Sequence, residues 1–289
     1  MSATARRAAG AAEKSMPEGP EIRRAADRVA SVLAGETIVH ARLALPRIRK
    51  FAARLEGATV TAVDTHGKAM LTRFDNGLTL YSHNQLYGRW YITRRPKLPD
   101  TNRQLRVAFH TETHSALLYS ASDIEVLTQR QLERHPFLSR LGPDILNTTL
   151  NAQSIAKRLD DAKFRNRSLN ALYLDQSFIA GLGNYLRSEI LWAARIDPGA
   201  RTSDLDAKAR ARLAGASLRI ARRSYRTSGL TVPSALARSL RAKGWTFEQR
   251  RFQVFGRQGL DCHHCGSTIE RHSMAGRNLF LCPGCQPKK

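Results

Sequence analysis

Met16-Pro17-Glu18-Gly19-Pro20-Glu21 is the stretch from which the rest of the chain is read. Pro20 suits the first turn of a helix, where its missing N–H would have had no partner in any case. Ile22, Ala25, Ala26, Val29, Val32 and Leu33 then recur at helical spacing until Gly35. The hexapeptide also carries chemistry. If translation begins at Met16 and that methionine is removed, Pro17 bears a free secondary amine. An α-amino group titrates at about 7.7–8.0, so near neutrality part of it is an unprotonated nucleophile. Amines attack carbonyl-like carbons and split one hard step into two easier ones, and a secondary amine gives only a cationic iminium, which is an electron sink. The helix N-terminus beside it disfavours a protonated amine and attracts anions. Glu18 is placed to give and take protons. The same residues also fit a plain Pro-rich helix entry with two acids favouring the dipole, and the hexapeptide alone leaves both readings open.

Working outward, residues 37–43, 59–63, 69–74, 78–83, 89–93, 105–110 and 116–120 are short β-branched or apolar runs, and Asp75-Asn76-Gly77 is a strong hairpin turn. Many short strands at this spacing predict a β-sandwich or barrel. Residues 94–103, with Pro96 and Pro99, read as a loop. Residues 135–146, with Pro136, Gly142 and Pro143, read as a domain boundary. Helical patterns follow over residues 152–159, 168–178, 184–194 and 204–221.

The chain has 289 residues, 42% of them hydrophobic, enough for two domains with cores of their own. Its 47 Lys and Arg against 24 Asp and Glu leave a net charge of +23, which attracts a polyanion, most plausibly nucleic acid. A membrane surface competes for such charge, but no apolar run approaches the roughly 20 residues a spanning helix needs. Residues 1–15 are Ala- and Arg-rich, with Glu13 their only acid, and lack the apolar core of a secretory signal. Their composition also fits a transit peptide. They are read here as an extension, disordered or not native, upstream of a true start at Met16; if they stay attached, Pro17 is an ordinary imide nitrogen and no nucleophile.

Four further stretches carry candidate sites. Cys262-x2-Cys265 and Cys282-x2-Cys285, separated by sixteen residues, are the only cysteines. Paired C-x-x-C knuckles suit one tetrahedral, closed, structural Zn²⁺, and this usage belongs to a reducing compartment. Between them, Arg277 would stand on the turn of a zinc-ribbon hairpin, where a guanidinium fork grips phosphate. His66-Gly67-Lys68 precedes a strand, and Lys68 is either a surface lysine or a phosphate ligand. His83-Asn84-Gln85-Leu86-Tyr87-Gly88 is either a hairpin connection with Leu86 folded into the core or a wedge that fills the gap left by an extruded base. Ile179-Ala180-Gly181-Leu182-Gly183-Asn184 is either an ordinary helix pair with Asn184 as N-cap or a phosphate site on a helix start.

Taken in order, Pro-Glu-Gly-Pro-Glu, Gly-Lys, Asn-Gln-Leu-Tyr-Gly, Gly-Leu-Gly-Asn-Tyr-Leu-Arg and a four-cysteine finger carrying an arginine resemble the formamidopyrimidine-DNA glycosylase/endonuclease VIII family. Residues 17–28 and 81–88 are especially similar to its bacterial endonuclease VIII branch, which removes oxidised pyrimidines. The resemblance spans residues 16–286. It implies an α+β, two-domain protein: an N-terminal β-sandwich with a leading helix, then a helix–two-turn–helix domain with a zinc finger. The expected layout is an extension over 1–15, the catalytic sandwich over 16–144, the helical DNA-binding domain over 145–249 and the finger over 250–289. On this resemblance Pro17 is the nucleophile, Glu18 the general acid/base and Glu21 a supporting carboxylate. Lys68 and Arg277 hold phosphates beside the lesion, and Gln85, Leu86 and Tyr87 fill the void. Asn184 and Arg140 contact DNA. The implied activity is that of a DNA glycosylase/AP lyase cleaving by β,δ-elimination on damaged double-stranded DNA, as a cytoplasmic, nucleoid-associated monomer with no membrane partner and no small-molecule cofactor. A catalytically silent DNA-damage-binding homologue is the alternative if the extension blocks Pro17, and a purely structural zinc-ribbon adaptor is a weaker one. Residues 226–250 match no landmark of the family.

Overall fold

A computed structural model of the chain describes residues 16–288. The extension expected over residues 1–15 lies outside the described residues. The described chain forms two compact units, Met16–Leu141 and the part from Gly142 onward.

In the first unit, helix α1 (Gly19–Leu33) leads, followed by β1 (His40–Leu43), the single-turn helices α2 (Pro46–Arg49) and α3 (Ala52–Leu55), and strands β2 (Val60–His66), β3 (Ala69–Phe74), β4 (Leu78–His83), β5 (Arg89–Arg94), β6 (Leu105–His110), β7 (His114–Tyr119) and β8 (Asp123–Thr128), then helix α4 (Gln129–Glu133). The strands pair antiparallel in two four-stranded sheets, β1-β6-β7-β5 and β2-β3-β4-β8. Leu43, Phe109 and Leu118 of the first sheet and Met70, Leu80 and Val126 of the second enter one core, closed by Ile22, Ala26, Val29 and Leu33 of α1. That is a sandwich with its leading helix. Burying aliphatic side chains at roughly 25 cal/mol per Å² is what holds the layers together.

β4 does not alternate, because both its faces are covered. Leu78 and Leu80 point into the sandwich, while Tyr81 packs with Ala69, Leu71, Leu127, Leu132 and Leu138 on the outer face. β8 is a strand that the sequence reading left out, although Ile124 and Val126 alternate with Asp123 and Glu125 in the half-buried manner of a strand.

The second unit contains α5 (Ala152–Asp160), α6 (Leu169–Leu172), α7 (Asn184–Ala194), α8 (Ala207–Arg226), α9 (Ser234–Ala242) and the hairpin of β9 (Glu270–Met274) and β10 (Arg277–Leu281). Here the structure corrects three expectations. The helix predicted over 168–178 is one turn, α6, because side chains then take over the backbone: Ser177 N–H donates to Asp175 Oδ1 at 2.8 Å and Gly181 N–H to Gln176 Oε1 at 3.0 Å. The helix expected over 204–221 starts later and runs further, since Asp206 caps it through Ala209 N–H at 2.6 Å. Residues 234–242, assigned no element from sequence, form α9, which buries Ala237 and Leu240.

The zinc-knuckle hairpin shares one core with the helices. Leu186 and Ile190 of α7, Leu213 and Ile220 of α8, and Phe255, Leu279 and Phe280 belong to a single cluster, with Phe255 and Phe280 meeting edge to face at 5.0 Å. Glu189, fully buried on α7, accepts N–H bonds from Gln253, Val254 and Phe255 and the hydroxyl of Thr231. One carboxylate thus replaces water for four donors and ties residues 231 and 253–255 to the helix. Among the described residues no helix is long and apolar enough to cross a membrane.

Candidate active site and nucleic-acid interface

α1 starts on a reciprocal cap. The Glu18 side chain accepts the Glu21 N–H, and Glu21 Oε2 accepts the Glu18 N–H at 3.1 Å. Serine or threonine usually takes the first place of such a box. A glutamate there brings its carboxylate to the positive end of the helix, which favours negative charge. Glu18 is only 2% exposed, and Arg24 holds the other oxygen of Glu21 at 3.2 Å. Pro17, half-buried, directly precedes this cap. The structure therefore joins Pro17, Glu18 and Glu21 in one rigid helix start.

Gly67, at φ +61°, and Lys68 form the tight turn between β2 and β3. Ala69 lies opposite His83 on β4, so the turn of Lys68 and the turn after His83 stand at the same end of this sheet. Burial, reinforced by the Lys68 charge and opposed by Asp123, holds the His83 imidazole below its ordinary range. Its Nδ1 accepts the Gln85 N–H at 3.2 Å, which suits a neutral ring with the proton on Nε2. Beside it a cavity of about 420 Å³ is lined by Tyr81, His83, Gln85, Asp123, Glu125 and His135, among others. Burial, with Asp123 nearby, raises the Tyr81 phenol well above its usual range.

Leu86 does not fold into the core: Leu86 and Tyr87 are 44% and 66% exposed. Gln85 has φ +50°, and a Cβ on Gly88 would stand 2.6 Å from the Asn84 carbonyl oxygen, so this turn requires glycine at its end. Arg140 is exposed at the close of a single 3-10 turn, Leu138–Arg140, the last element of this unit.

In the second unit, Gly183 rather than Asn184 is the N-cap of α7, and Asn184 is its first helical residue. The extended backbone at Gly183 (φ −148°, ψ −155°) takes the cap position and leaves the Asn184 side chain for another task. Asn184 Nδ2 donates to the Asn278 carbonyl at 2.8 Å, while its Oδ1 accepts Arg187 Nη2 at 2.6 Å. Arg187, fully buried, also donates to the carbonyls of Asn170 and Met274. Met274 and Asn278 flank the β9–β10 turn, whose central residues Ala275 and Gly276 both have positive φ, as a two-residue hairpin turn with right-handed strand twist demands. Arg277 follows on its shoulder, exposed. One buried guanidinium thus fixes both Asn184 and the turn that carries Arg277. The sequence motifs gave Arg187 no role; its place three residues after Asn184, as one of two charged residues in a largely apolar helix, was the available signal.

The four cysteine sulfurs lie within 4.8 Å of one another, with Cys262–Cys285 at 3.8 Å, Cys265–Cys282 at 3.4 Å and Cys265–Cys285 at 3.5 Å. Sulfurs at Zn–S bonds of about 2.3 Å in a tetrahedron stand about 3.8 Å apart, so the set fits Zn²⁺. Without a cation the thiols resist joint ionisation: burial and the bond to Cys265 push Cys282 up to about 11, whereas bonding to Ser267 draws Cys265 down to about 6. A divalent cation removes that conflict. The protein binds one structural zinc through Cys262, Cys265, Cys282 and Cys285. His263 and His264 stand outside this sulfur cluster.

With the sandwich, the two-glycine helix junction and the cysteine hairpin in place, three family models match in the same order: the formamidopyrimidine-DNA glycosylase N-terminal domain over residues 16–123, the H2TH domain of the same glycosylase over 141–234, and the zinc finger found in FPG and IleRS over 259–288. The chain belongs to the formamidopyrimidine-DNA glycosylase/endonuclease VIII family. It is a DNA glycosylase with AP lyase activity, of base excision repair. Within the family it is 47% identical to Endonuclease 8 of Klebsiella pneumoniae and 46% to that of Escherichia coli K12, each over 271 residues covering 94% of this chain and 100% of the relative. The fold is shared with Lactococcus lactis formamidopyrimidine-DNA glycosylase bound non-covalently to AP-site DNA (TM-score 0.75, 21% identity, 94% and 100% coverage). It is shared as well with MutM in complex with DNA containing carbocyclic 8-oxo-G (TM-score 0.76, 21% identity, 94% and 100% coverage).

Proposed function

We propose that the protein excises oxidised pyrimidines from double-stranded DNA through an iminium formed on Pro17. The observation that carries this reading is the placement of Pro17, half-buried, directly before the buried Glu18 in the cap of α1. Its condition is a chain that starts at Pro17 after loss of Met16, and the N-terminal family match beginning at residue 16 supports that condition.

The Pro17 nitrogen attacks C1′ of the damaged nucleotide as the base departs with the bonding pair. Glu18 gives a proton to the sugar ring oxygen, which opens the ring and leaves an iminium between Pro17 and C1′. The iminium acidifies the C2′ hydrogens. Loss of one expels the 3′ phosphate by β-elimination, and a second elimination expels the 5′ phosphate, leaving a one-nucleotide gap. Glu21 keeps Glu18 in place through the cap. Lys68, Arg277, Asn184 and Arg140 bind phosphates. For Arg277 the role is electrostatic stabilisation of the leaving phosphate, since a guanidinium scarcely deprotonates. Gln85, Leu86 and Tyr87 occupy the space of the extruded nucleotide. The charge of +23 draws the enzyme to DNA, and its setting is the bacterial cytoplasm, as a monomer on the nucleoid.

Borohydride trapping on an abasic-site duplex tests this with chains begun at Met1 and at Met16 side by side. The expected result is a covalent complex from the Met16 chain and none from the Met1 chain, whose Pro17 nitrogen is an imide, with DNA bound by both. Trapping by the Met1 chain with its first fifteen residues still attached would move the nucleophile to another amine, and trapping by neither chain would remove the lyase chemistry from Pro17.

A further inference from the structure

The turn proposed to enter the duplex is held from outside itself. Ser122 Oγ donates to Gln85 Oε1 at 2.8 Å, and Arg103 Nη1 donates to the Tyr87 carbonyl at 2.6 Å. Ser122 is in turn clamped: Arg47 Nη2 donates to its carbonyl and Arg47 Nε to that of Ile124 at 3.3 Å. These partners come from three separate places, α2, the loop before β6 and the link between β7 and β8. From inside the turn, the Gly88 N–H closes on the Asn84 carbonyl at 2.7 Å, and Asn84 itself is 6% exposed. Left to itself, Gln85 at φ +50° would relax, and two apolar side chains in water would have nothing to keep them apart.

We infer that Ser122, Arg103 and Arg47 are positioning residues, which set Gln85, Leu86 and Tyr87 in their working arrangement before DNA arrives. The inference rests on the void-filling role proposed above for these three residues. Its physical content is preorganisation. A turn ordered in the free enzyme does not lose conformational freedom at the moment of insertion, so binding energy is kept for extruding the nucleotide. Arg47 acts at one remove, by fixing the Ser122 backbone, and Arg103 acts on the main chain at Tyr87, leaving that side chain available.

The test uses the full chain begun at Met16, with its zinc, as wild type, Ser122→Ala, Ser122→Thr, Arg103→Gln and the Ser122→Ala/Arg103→Gln double variant. Each is assayed for strand cleavage at an abasic site in duplex DNA and at the same site in a single strand, which presents no stack to wedge open. A 2-aminopurine opposite the lesion reports insertion by its fluorescence. The expected result is a loss of about tenfold in duplex kcat/KM for Ser122→Ala and for Arg103→Gln and more for the double, with slower 2-aminopurine signals and single-strand cleavage retained. Ser122→Thr, which keeps the hydroxyl, should restore the duplex rate. Equal losses on both substrates would reduce these residues to ordinary structural supports and overturn the inference, as would unchanged duplex rates. Leu86→Ala/Tyr87→Ala on the duplex separates the two levels. If it loses activity while Ser122→Ala and Arg103→Gln do not, positioning alone is wrong; if it keeps full duplex activity, the wedge reading beneath it falls.

Discussion

In the turn at residues 84–88 the apolar side chains of Leu86 and Tyr87 are 44% and 66% exposed, whereas in the turn at residues 179–184 those of Ile179, Ala180 and Leu182 are fully buried. The second turn is tied down along its length. Arg158 donates to the carbonyls of Ser177 and Phe178 at 2.6 Å each, Gln176 Nε2 to that of Leu182 at 2.8 Å, and residues 180 and 145 share a backbone bond at 3.0 Å. Its side chains serve the core, and what stands at its end is a helix start. The first turn is anchored by its backbone and by Gln85 and keeps its apolar side chains in water. Exposed apolar groups on a fixed backbone mark a surface made for a partner. Fixed dipoles at a helix start mark a site for phosphate. On the function proposed above, the two turns would divide recognition into shape and charge.

Removing zinc tests the second turn most severely. Chelation, or Cys282→Ser, should unfold the β9–β10 hairpin, because metal binding in such modules is itself folding energy, roughly 10–16 kcal/mol in isolated zinc-finger peptides. Strand cleavage should disappear with it. Circular dichroism melts should show the second unit losing its transition while the sandwich, which holds no metal ligand, keeps its own.

Arg187→Met comes next. It takes a donor from the carbonyls of Asn170, Met274 and Asn278 and from the Asn184 oxygen around a buried site. Losing a buried, charge-assisted network should cost about 3–5 kcal/mol in urea unfolding. Phosphate affinity should fall in step, as Asn184 and the Arg277 turn lose their common anchor. Stability lost without any change in DNA binding would break the link between them.

Tyr87→Ser should behave oppositely. An exposed side chain leaves stability within about 0.5 kcal/mol, read by the same unfolding curves, while duplex cleavage falls. If this variant proved markedly unstable, the contrast between the turns would collapse.

The smallest effect is a pH slope. His83 and His110 are both held below their ordinary 6.5, His83 by burial with Lys68 adding to it, His110 by burial with Arg95 and His40 adding to it. The unfolded chain then binds more protons than the folded one, so stability rises with pH across this range. The contribution is complete above about 6.5 and is lost as pH falls toward the lowered folded values. His83→Gln should flatten the dependence of Tm on pH below 6.5 relative to wild type.

Much of this was legible in residue order. The Ile22-to-Leu33 spacing marked α1, Asp75-Asn76-Gly77 marked the β3–β4 hairpin, and the two C-x-x-C knuckles marked the zinc, because each signal is local: a period, a positive φ or a ligand pair close in sequence. The motif order also singled out Pro17, Glu18, Lys68, Gln85 and Asn184 for the roles proposed above. Other features depended on residues far apart in the chain. β8 takes its ladder partners from β4, which lies far upstream in the chain. Gly183 takes the cap position and frees Asn184 to meet Asn278, ninety-four residues on. Arg187 gains its importance only where four partners from different segments converge. Sequence by itself determined the elements with a local signal, such as α1, the β3–β4 hairpin and the zinc knuckles, and which residue types could carry the chemistry. Tertiary structure decided which of them are anchored and which are left exposed, because burial and hydrogen-bond satisfaction belong to the packed chain and to no local segment of it.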